Sequence, residues 1–422
     1  MPPSTDVAAT EDERYLRRAL RLAWRGQGRV EPNPMVGCVL VRNGRVIGEG
    51  YHRRFGGPHA EVEALRACRG SARGATAYVT LEPCCHYGKT PPCTEALIAA
   101  GIARVVAPVT DPNPAVAGRG FARLRAAGLR VDVGLLQAQA LELNAPFFKL
   151  TRQRRPWVIL KWAQSLDGKI ATRTGDSRWI TGPACRAHAH RTRGRVDAIM
   201  VGVGTVRRDD PLLTCRAVPP RRVATRIVLD TRLRTPPTAR LVRTARRVPT
   251  WVFCGPDASE IQAARLEQAG CRVLRVPRTS RGLSLSAVLT LLGQHHMTNV
   301  LVEGGATLLG RFFDQRLFDE LHVYIAPLLI GGSAALSPLH GAGVPRVGQA
   351  LRLPNDFHLT RLADGYFCCA RVPTPPPRRR AAHPLAQAPS YTRPDGTGPP
   401  ANRISRGSDR PGRQRETPHA RR

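Results

Sequence analysis

The chain has 422 residues, 42% of them apolar and 23% charged, enough for two or three buried cores. No run of 18 uncharged apolar residues is available to cross a bilayer. The formal charge is +34, but only four of the 65 cations are lysines; the arginines run the whole length beside abundant Ala, Gly and Pro, as GC-rich coding produces, rather than forming one nucleic-acid face.

Eleven cysteines, an odd number, argue against a disulfide framework and for metal ligation or catalysis wherever they cluster. Residues 1–13 carry Asp6, Glu11, Asp12 and Glu13 and no cationic stretch followed by an apolar one, so a cytoplasmic protein is expected.

Residues 1–150 read as an α/β domain. Tyr15-Leu16, Ala19-Leu20 and Ala23-Trp24 recur at helical spacing, residues 36–41 and 77–81 read as strands, and 91–100 as a helix stopped by Gly101. Pro58-His59-Ala60-Glu61 is followed by Leu81-Glu82-Pro83-Cys84 and then by Pro91-Pro92-Cys93 at a helix start. One imidazole (His59) and two thiolates (Cys84, Cys93) make a three-ligand zinc set whose fourth position stays open, the mark of a catalytic site. Glu61, two residues from His59, is placed to move protons between water, a substrate nitrogen and departing ammonia. His-x-Glu with Pro-Cys downstream is the general signature of zinc deaminases, although eight residues, not two, separate these cysteines. Cys85 and His86 are read as loop residues.

The basic stretch 151–155 and the breaker Pro156 mark a junction, and residues 151–372 read as a second α/β domain. Its strand-like runs are 157–160, 198–203, 226–229, 250–253, 300–302 and 321–325. Gly304-Gly305-Ala306-Thr307 follows a strand and opens an apolar helix, where free backbone N–H groups can hold a cofactor phosphate. Residues 373–422 hold eleven prolines, eleven arginines and three acids, and are expected to be a disordered basic tail.

These residues resemble the bifunctional deaminase-reductase family of riboflavin biosynthesis. The likeness rests on Pro32-Asn33-Pro34-x-Val36-Gly37, Pro58-His59-Ala60-Glu61, Thr80-Leu81-Glu82-Pro83-Cys84, Gly88-Lys89-Thr90-Pro91-Pro92-Cys93 and Asp111-Pro112-Asn113-Pro114-x-Val116-Ala117-Gly118. It continues through Lys161-x-Ala163-x-Ser165-Leu166-Asp167-Gly168-Lys169, Ser177-Arg178-Trp179-Ile180-Thr181, Asp209-Asp210-Pro211-x-Leu213-Thr214 and Val302-Glu303-Gly304-Gly305-Ala306-Thr307-Leu308. The long cysteine spacing is the one this family uses.

The resemblance implies a cytidine-deaminase-like domain followed by a dihydrofolate-reductase-like domain, with zinc and NADPH as cofactors, a phosphorylated pyrimidine as substrate and a homo-oligomer as the assembly. It implies that Asn33 meets the pyrimidine edge, its amide donating and accepting at once. Ala163, Trp179, Thr205, Asp209, Thr231, Gly305, Ala306, Thr307, Leu308, Leu309, Gly310 and Arg311 would line the NADP site, and Lys161, Ser177, Arg193, Leu213, Arg216 and Glu303 would meet substrate. Arg193 and Arg216 suit the sugar phosphate, which a guanidinium fork binds bidentately. Lys161 or Glu303 is the candidate for proton movement during ring opening. The chain departs from the family at Cys85, Arg208, Cys215 and Gln139. A nucleic-acid or nucleoside deaminase with an appended domain is the alternative, disfavoured by 5% aromatics and by the reductase-like motifs; a basic nucleic-acid-binding protein with a degenerate core is disfavoured by the intact His59, Glu61, Cys84 and Cys93.

Overall fold

The computed structural model describes residues 10–88, 90–354 and 357–372. The expected tail, 373–422, lies outside them, as does Lys89. Helix α1 (Glu11–Ala23) starts where the Thr10 hydroxyl accepts the Glu13 N–H at 3.3 Å, and three acids in its first turn offset the positive helix end. Its face of Tyr15, Leu16, Ala19, Leu20 and Ala23 is buried.

That face rests on a five-stranded sheet in the order β2-β1-β3-β4-β5, formed by β1 (Gly37–Arg42), β2 (Arg45–Tyr51), β3 (Thr76–Val79), β4 (Arg104–Ala107) and β5 (Arg130–Val133). β1 is antiparallel to β2 and β3, whereas β3, β4 and β5 run parallel. Strand periodicity splits the core: Cys38 and Leu40 face one layer, with Ala60, Ala64, Leu97 and Leu124, while Val39 and Val41 face α1. Gly37 lets α1 cross at close range, since a Cβ there would lie 2.1 Å from the Ala19 carbonyl oxygen. Helices α2 (Ala60–Arg66), α3 (Cys93–Ala99) and α4 (Arg119–Ala126) form the opposite layer, and α5 (Gln137–Leu143) and α6 (Ala145–Gln153) follow. The basic junction is thus the last turn of α6 and its exit, Arg154 taking a left-handed φ of 56°.

A nine-stranded sheet forms the rest. Its elements in chain order are β6 (Trp157–Ser165), α7 (Pro183–Arg193), β7 (Ala198–Gly202), α8 (Val203–Asp209), β8 (Thr225–Leu229), α9 (Arg240–Arg243), β9 (Thr250–Cys254), α10 (Glu260–Gln268) and β10 (Arg272–Arg275). The hairpin β11 (Arg278–Thr279) and β12 (Gly282–Leu283) leads to α11 (Leu285–Gln294), β13 (Asn299–Val302), α12 (Ala306–Asp314), β14 (Glu320–Ala326), β15 (His358–Leu362) and β16 (Gly365–Arg371). The order is β10-β9-β8-β7-β13-β6-β14-β16-β15, with parallel pairing from β10 to β14 and antiparallel pairing beyond. Val158 and Leu160 enter one apolar layer and Ile159 the other, so both faces are covered, as a parallel sheet requires. The chain passes from β6 to one side and later returns to insert β13 beside it. That change of direction opens a crevice at the carboxyl ends of β6, β7 and β13, where ligands bind in open α/β sheets.

Candidate active sites

His59 is the residue before α2 and has an extended backbone, so its ring leaves the helix end while Glu61 points inward from the first turn. Cys93 opens α3 after Pro91-Pro92, and Cys84 sits in the loop after β3. The His59 Nδ1 lies 3.5 Å from Cys84 Sγ and 3.3 Å from Cys93 Sγ, and the three ligand atoms fall within 4.8 Å of one another. The other ring nitrogen, Nε2, is 3.4 Å from Thr90 Oγ1. The Cys93 N–H donates to Cys84 Sγ at 3.4 Å. The Cys93 thiol, the His59 ring and that N–H hold Cys84 well below the usual thiol range, while Cys93 itself is pushed far up, so one thiol of the pair ionises readily and a cation would be needed to ionise both.

Glu61 is 3% exposed, and its Oε2 has no hydrogen-bond partner among the described residues. Burial, with Cys84 beside it, pushes its carboxyl up to about 7. A soft-borderline donor set of one nitrogen and two sulfurs, beside a buried carboxylate with one unpartnered oxygen, fits zinc and its water. The adjoining cavity, about 270 Å³, is walled by Asn33, His52, His59, Glu61, Cys84, Asn113 and Phe147 among others.

Three residues that position this site carry no distinctive sequence signal. The Glu82 carboxylate accepts four backbone N–H groups, from Asp111 at 3.0 Å, Gly118 at 2.9 Å, Gly120 at 2.8 Å and Phe121 at 3.2 Å, which ties the loop after β4 to the one bearing Cys84. Asn144 grips both backbone groups of Met35 at 2.8 and 2.9 Å, fixing the loop of Asn33. His52 lies 3.0 Å from the Pro58 carbonyl through Nδ1, which makes Nε2 the acceptor for the Asn33 amide at 3.3 Å.

The second site lies at the sheet crevice, a cavity of about 650 Å³. Its wall brings together Lys161, Ala163, Ser177, Thr205, Asp209, Glu303, Gly305, Ala306, Thr307, Leu308, Leu309 and Arg311. Gly305 caps α12 and donates its N–H to Thr205 Oγ1 at 3.1 Å, joining the two strand-to-helix turns. Gly202 and Gly204 also line it, and a Cβ at either would meet nothing within 4 Å. An open glycine turn beside the free end of a nine-residue helix fits a cofactor phosphate.

Glu303 accepts both forks of Arg193, at 2.7 and 2.5 Å, and lies 3.6 Å from Lys161 Nζ. Burial alone would raise its carboxyl, but Arg193 and Lys161 hold it well below the usual carboxylate range. Burial pushes Lys161 down, with Glu303 opposing. Nearby, His190 is pushed down to about 4 by burial and by Arg193 and Arg216, and its Nδ1 accepts the Arg216 N–H at 3.0 Å.

The remaining expected residues lie off that wall. Trp179 is 70% exposed under the Arg186 guanidinium, Leu213 is in the core, and Arg216 reaches Thr214 Oγ1 at 3.1 Å. Thr231 neighbours Gly282 beside Arg311, and Gly310 faces the His340 backbone, where a Cβ would collide. Of the departures, Arg208 lines the cavity and donates to the Gly175 carbonyl, Cys215 Sγ meets Val218 O at 3.1 Å, Cys85 Sγ lies 4.0 Å from Ala115 O, and Gln139 is exposed.

Fold and sites together define a zinc-region deaminase domain joined to a reductase domain. The cytidine and deoxycytidylate deaminase zinc-binding region matches residues 9–109, and the RibD C-terminal domain matches residues 156–360. The riboflavin biosynthesis protein RibD of Actinobacillus pleuropneumoniae is 44% identical over 352 residues, 83% of this chain and 93% of that protein. The solved structure of Acinetobacter baumannii RibD, form 1, superposes with a TM-score of 0.76 at 37% identity, covering 86% of this chain and 99% of that one. The Thermotoga maritima diaminohydroxyphosphoribosylaminopyrimidine deaminase/5-amino-6-(5-phosphoribosylamino)uracil reductase gives 0.72 at 34% identity, with 86% and 99% covered. The chain belongs to the RibD family of riboflavin biosynthesis, a zinc-dependent deaminase and a reductase in one polypeptide. No helix among the described residues is long and apolar enough to cross a membrane.

Proposed function

We propose that the chain catalyses two consecutive steps on one phosphorylated pyrimidine. The first removes the 2-amino group of 2,5-diamino-6-ribosylamino-4(3H)-pyrimidinone 5′-phosphate with water, releasing ammonia and 5-amino-6-(5-phosphoribosylamino)uracil. The second reduces the ribosyl chain with NADPH, giving 5-amino-6-(5-phosphoribitylamino)uracil. The observation that carries this reading is the unpartnered, buried Glu61 oxygen beside the His59, Cys84 and Cys93 donor set.

Zinc held by those three residues would supply a water acidic enough to attack near neutral pH. Glu61 takes up one proton of the water at Oε2 and passes it to the ring nitrogen, then takes the second from the added hydroxyl and passes it to the departing amine. Asn33, oriented by His52, presents donor and acceptor to the pyrimidine edge. In the second site NADPH would supply the reducing equivalents, and the backbone N–H groups opening α12 together with the Gly202–Gly204 turn would hold its phosphates. Lys161 and Glu303 share a proton during ring opening; Arg193 holds Glu303 in place and leaves Arg216, whose fork meets no carboxylate at salt-bridge distance among the described residues, for the sugar phosphate. Residues 1–150 form the deaminase domain and 151–372 the reductase domain of a cytoplasmic homo-oligomer, without nucleic acid as a partner.

The test uses full-length protein and the diaminopyrimidine ribosyl phosphate, with products identified by mass. Ammonia loss without cofactor, followed by a two-hydrogen gain with NADPH, is the expected result. Neither reaction from zinc-loaded protein overturns the reading and favours a nucleoside deaminase.

A further inference from the structure

A second cluster of metal-ligating side chains lies far along the chain from the first. Glu320 and His322 are two residues apart on β14 and therefore share a face of the sheet, and Cys369 on β16 is the direct cross-strand partner of His322. The register thus places a carboxylate, an imidazole and a thiol together, with ligand atoms within 4.8 Å of one another. All three line a cavity of about 750 Å³ that also touches Asn33, Phe147, Trp157 and His188. His322 Nε2 stands 2.6 Å from Glu320 Oε1, and Cys369 Sγ stands 3.6 Å from that same oxygen. His322 is 1% exposed, yet its Nδ1 has no hydrogen-bond partner among the described residues. Neither deamination nor reduction uses these groups.

We propose that Glu320, His322 and Cys369 form a second site for a borderline transition-metal ion of the zinc class. One nitrogen, one thiolate and one carboxylate are the donors zinc selects, and three protein ligands leave the cavity side open to water. Two anionic ligands and a neutral imidazole balance the charge of a divalent cation. The other Glu320 oxygen, Oε2, is held by Trp157 Nε1 at 3.0 Å and faces Arg371 at 3.7 Å, which orients the carboxylate and leaves Oε1 for the ion. Ligand atoms about a tetrahedral zinc lie roughly 3.3 Å apart, so binding separates Oε1 from Nε2 by a small side-chain rotation and replaces their hydrogen bond. On binding, the Cys369 thiol proton leaves to solvent, and the proton between Nε2 and Glu320 Oε1 passes to His322 Nδ1, the nitrogen with no partner among the described residues.

Metal stoichiometry of the full chain tests this, after chelator stripping, reloading with Co²⁺ or Zn²⁺ and removal of unbound ion. Two equivalents per chain are expected, falling to one in His322→Ala/Cys369→Ser. The complementary Cys84→Ser/Cys93→Ser chain should also hold one equivalent and, with Co²⁺, keep a thiolate-to-cobalt absorption band. It carries the test if the first variant does not fold. A wild-type chain that holds one equivalent, or a Cys84→Ser/Cys93→Ser chain that holds none, overturns the proposal and leaves Glu320 and His322 as a buried hydrogen-bonded pair.

Discussion

Replacing Glu61 by glutamine keeps the size of the side chain and removes its basicity, and because the carboxylate is not among the ligand atoms, zinc content should be unchanged. The expected loss in deamination rate is about 10²–10⁴-fold, measured as ammonia release, while NADPH oxidation on the already deaminated substrate stays at the wild-type rate. Glu303 permits a pH prediction whose sign follows from its surroundings. Arg193 and Lys161 hold its folded pKa below the value of about 4.3 that a glutamate has in an unfolded chain. Its stabilising effect is therefore complete above that pH and is lost as pH falls below it toward the folded value. Glu303→Gln should flatten that acid dependence in urea unfolding. At neutral pH it should cost about 3–5 kcal/mol, because two buried cations then face each other without a counter-charge.

Between elements, Glu82 does for the first site what a disulfide would do elsewhere, tying the loop after β4 to the one after β3 through four N–H donors. Glu82→Ala should lower the stability of the zinc-free chain by on the order of 3 kcal/mol in thermal unfolding, since two buried and two part-buried donors lose their acceptor. Its zinc affinity should fall about 10–100-fold, as loss of an outer-shell partner does, with reduction retained. Among the strands, residues 36–41 and 250–253 were legible because both layers need apolar side chains there. β6 was read only as 157–160 because beyond Leu160 it carries Lys161 and Gln164, and its line of side chains turns from core to cavity wall. β2, β10 and β15 lie at sheet edges, and β5 likewise, where exposed arginines interrupt the alternation that marks a strand. The clustering of His59, Cys84 and Cys93 was legible because a zinc-type donor set admits few residue types in a fixed order. The Arg193–Glu303 clamp was not, since its partners are 110 residues apart and meet only through the strand order.

Across the whole of residues 10–372 the two sheets are tied by few polar contacts, and the best buried is Lys149 on α6 with Asp319 at the start of β14. Lys149 Nζ lies 2.5 and 2.7 Å from the two Asp319 oxygens, with side chains 15% and 12% exposed. Asp319 also accepts the Val158 N–H at 2.7 Å, so the contact sets the register at which β6 leaves the junction. Burial raises the Asp319 pKa against the pull of Lys149, meaning that the carboxylate depends on this lysine to remain charged. Truncating the lysine should therefore cost about 3–5 kcal/mol, more than an exposed pair could. If the contact couples the sheets, Lys149→Ala loses deaminase and reductase activity together at a lower temperature than wild type, although it touches neither site. Adding Asp319→Asn should recover part of that loss by removing the stranded charge, giving an interaction energy that a double-mutant cycle reads directly. Loss of reductase activity alone in the single variant would place the contact inside the second domain's own stability and remove it as a coupling element.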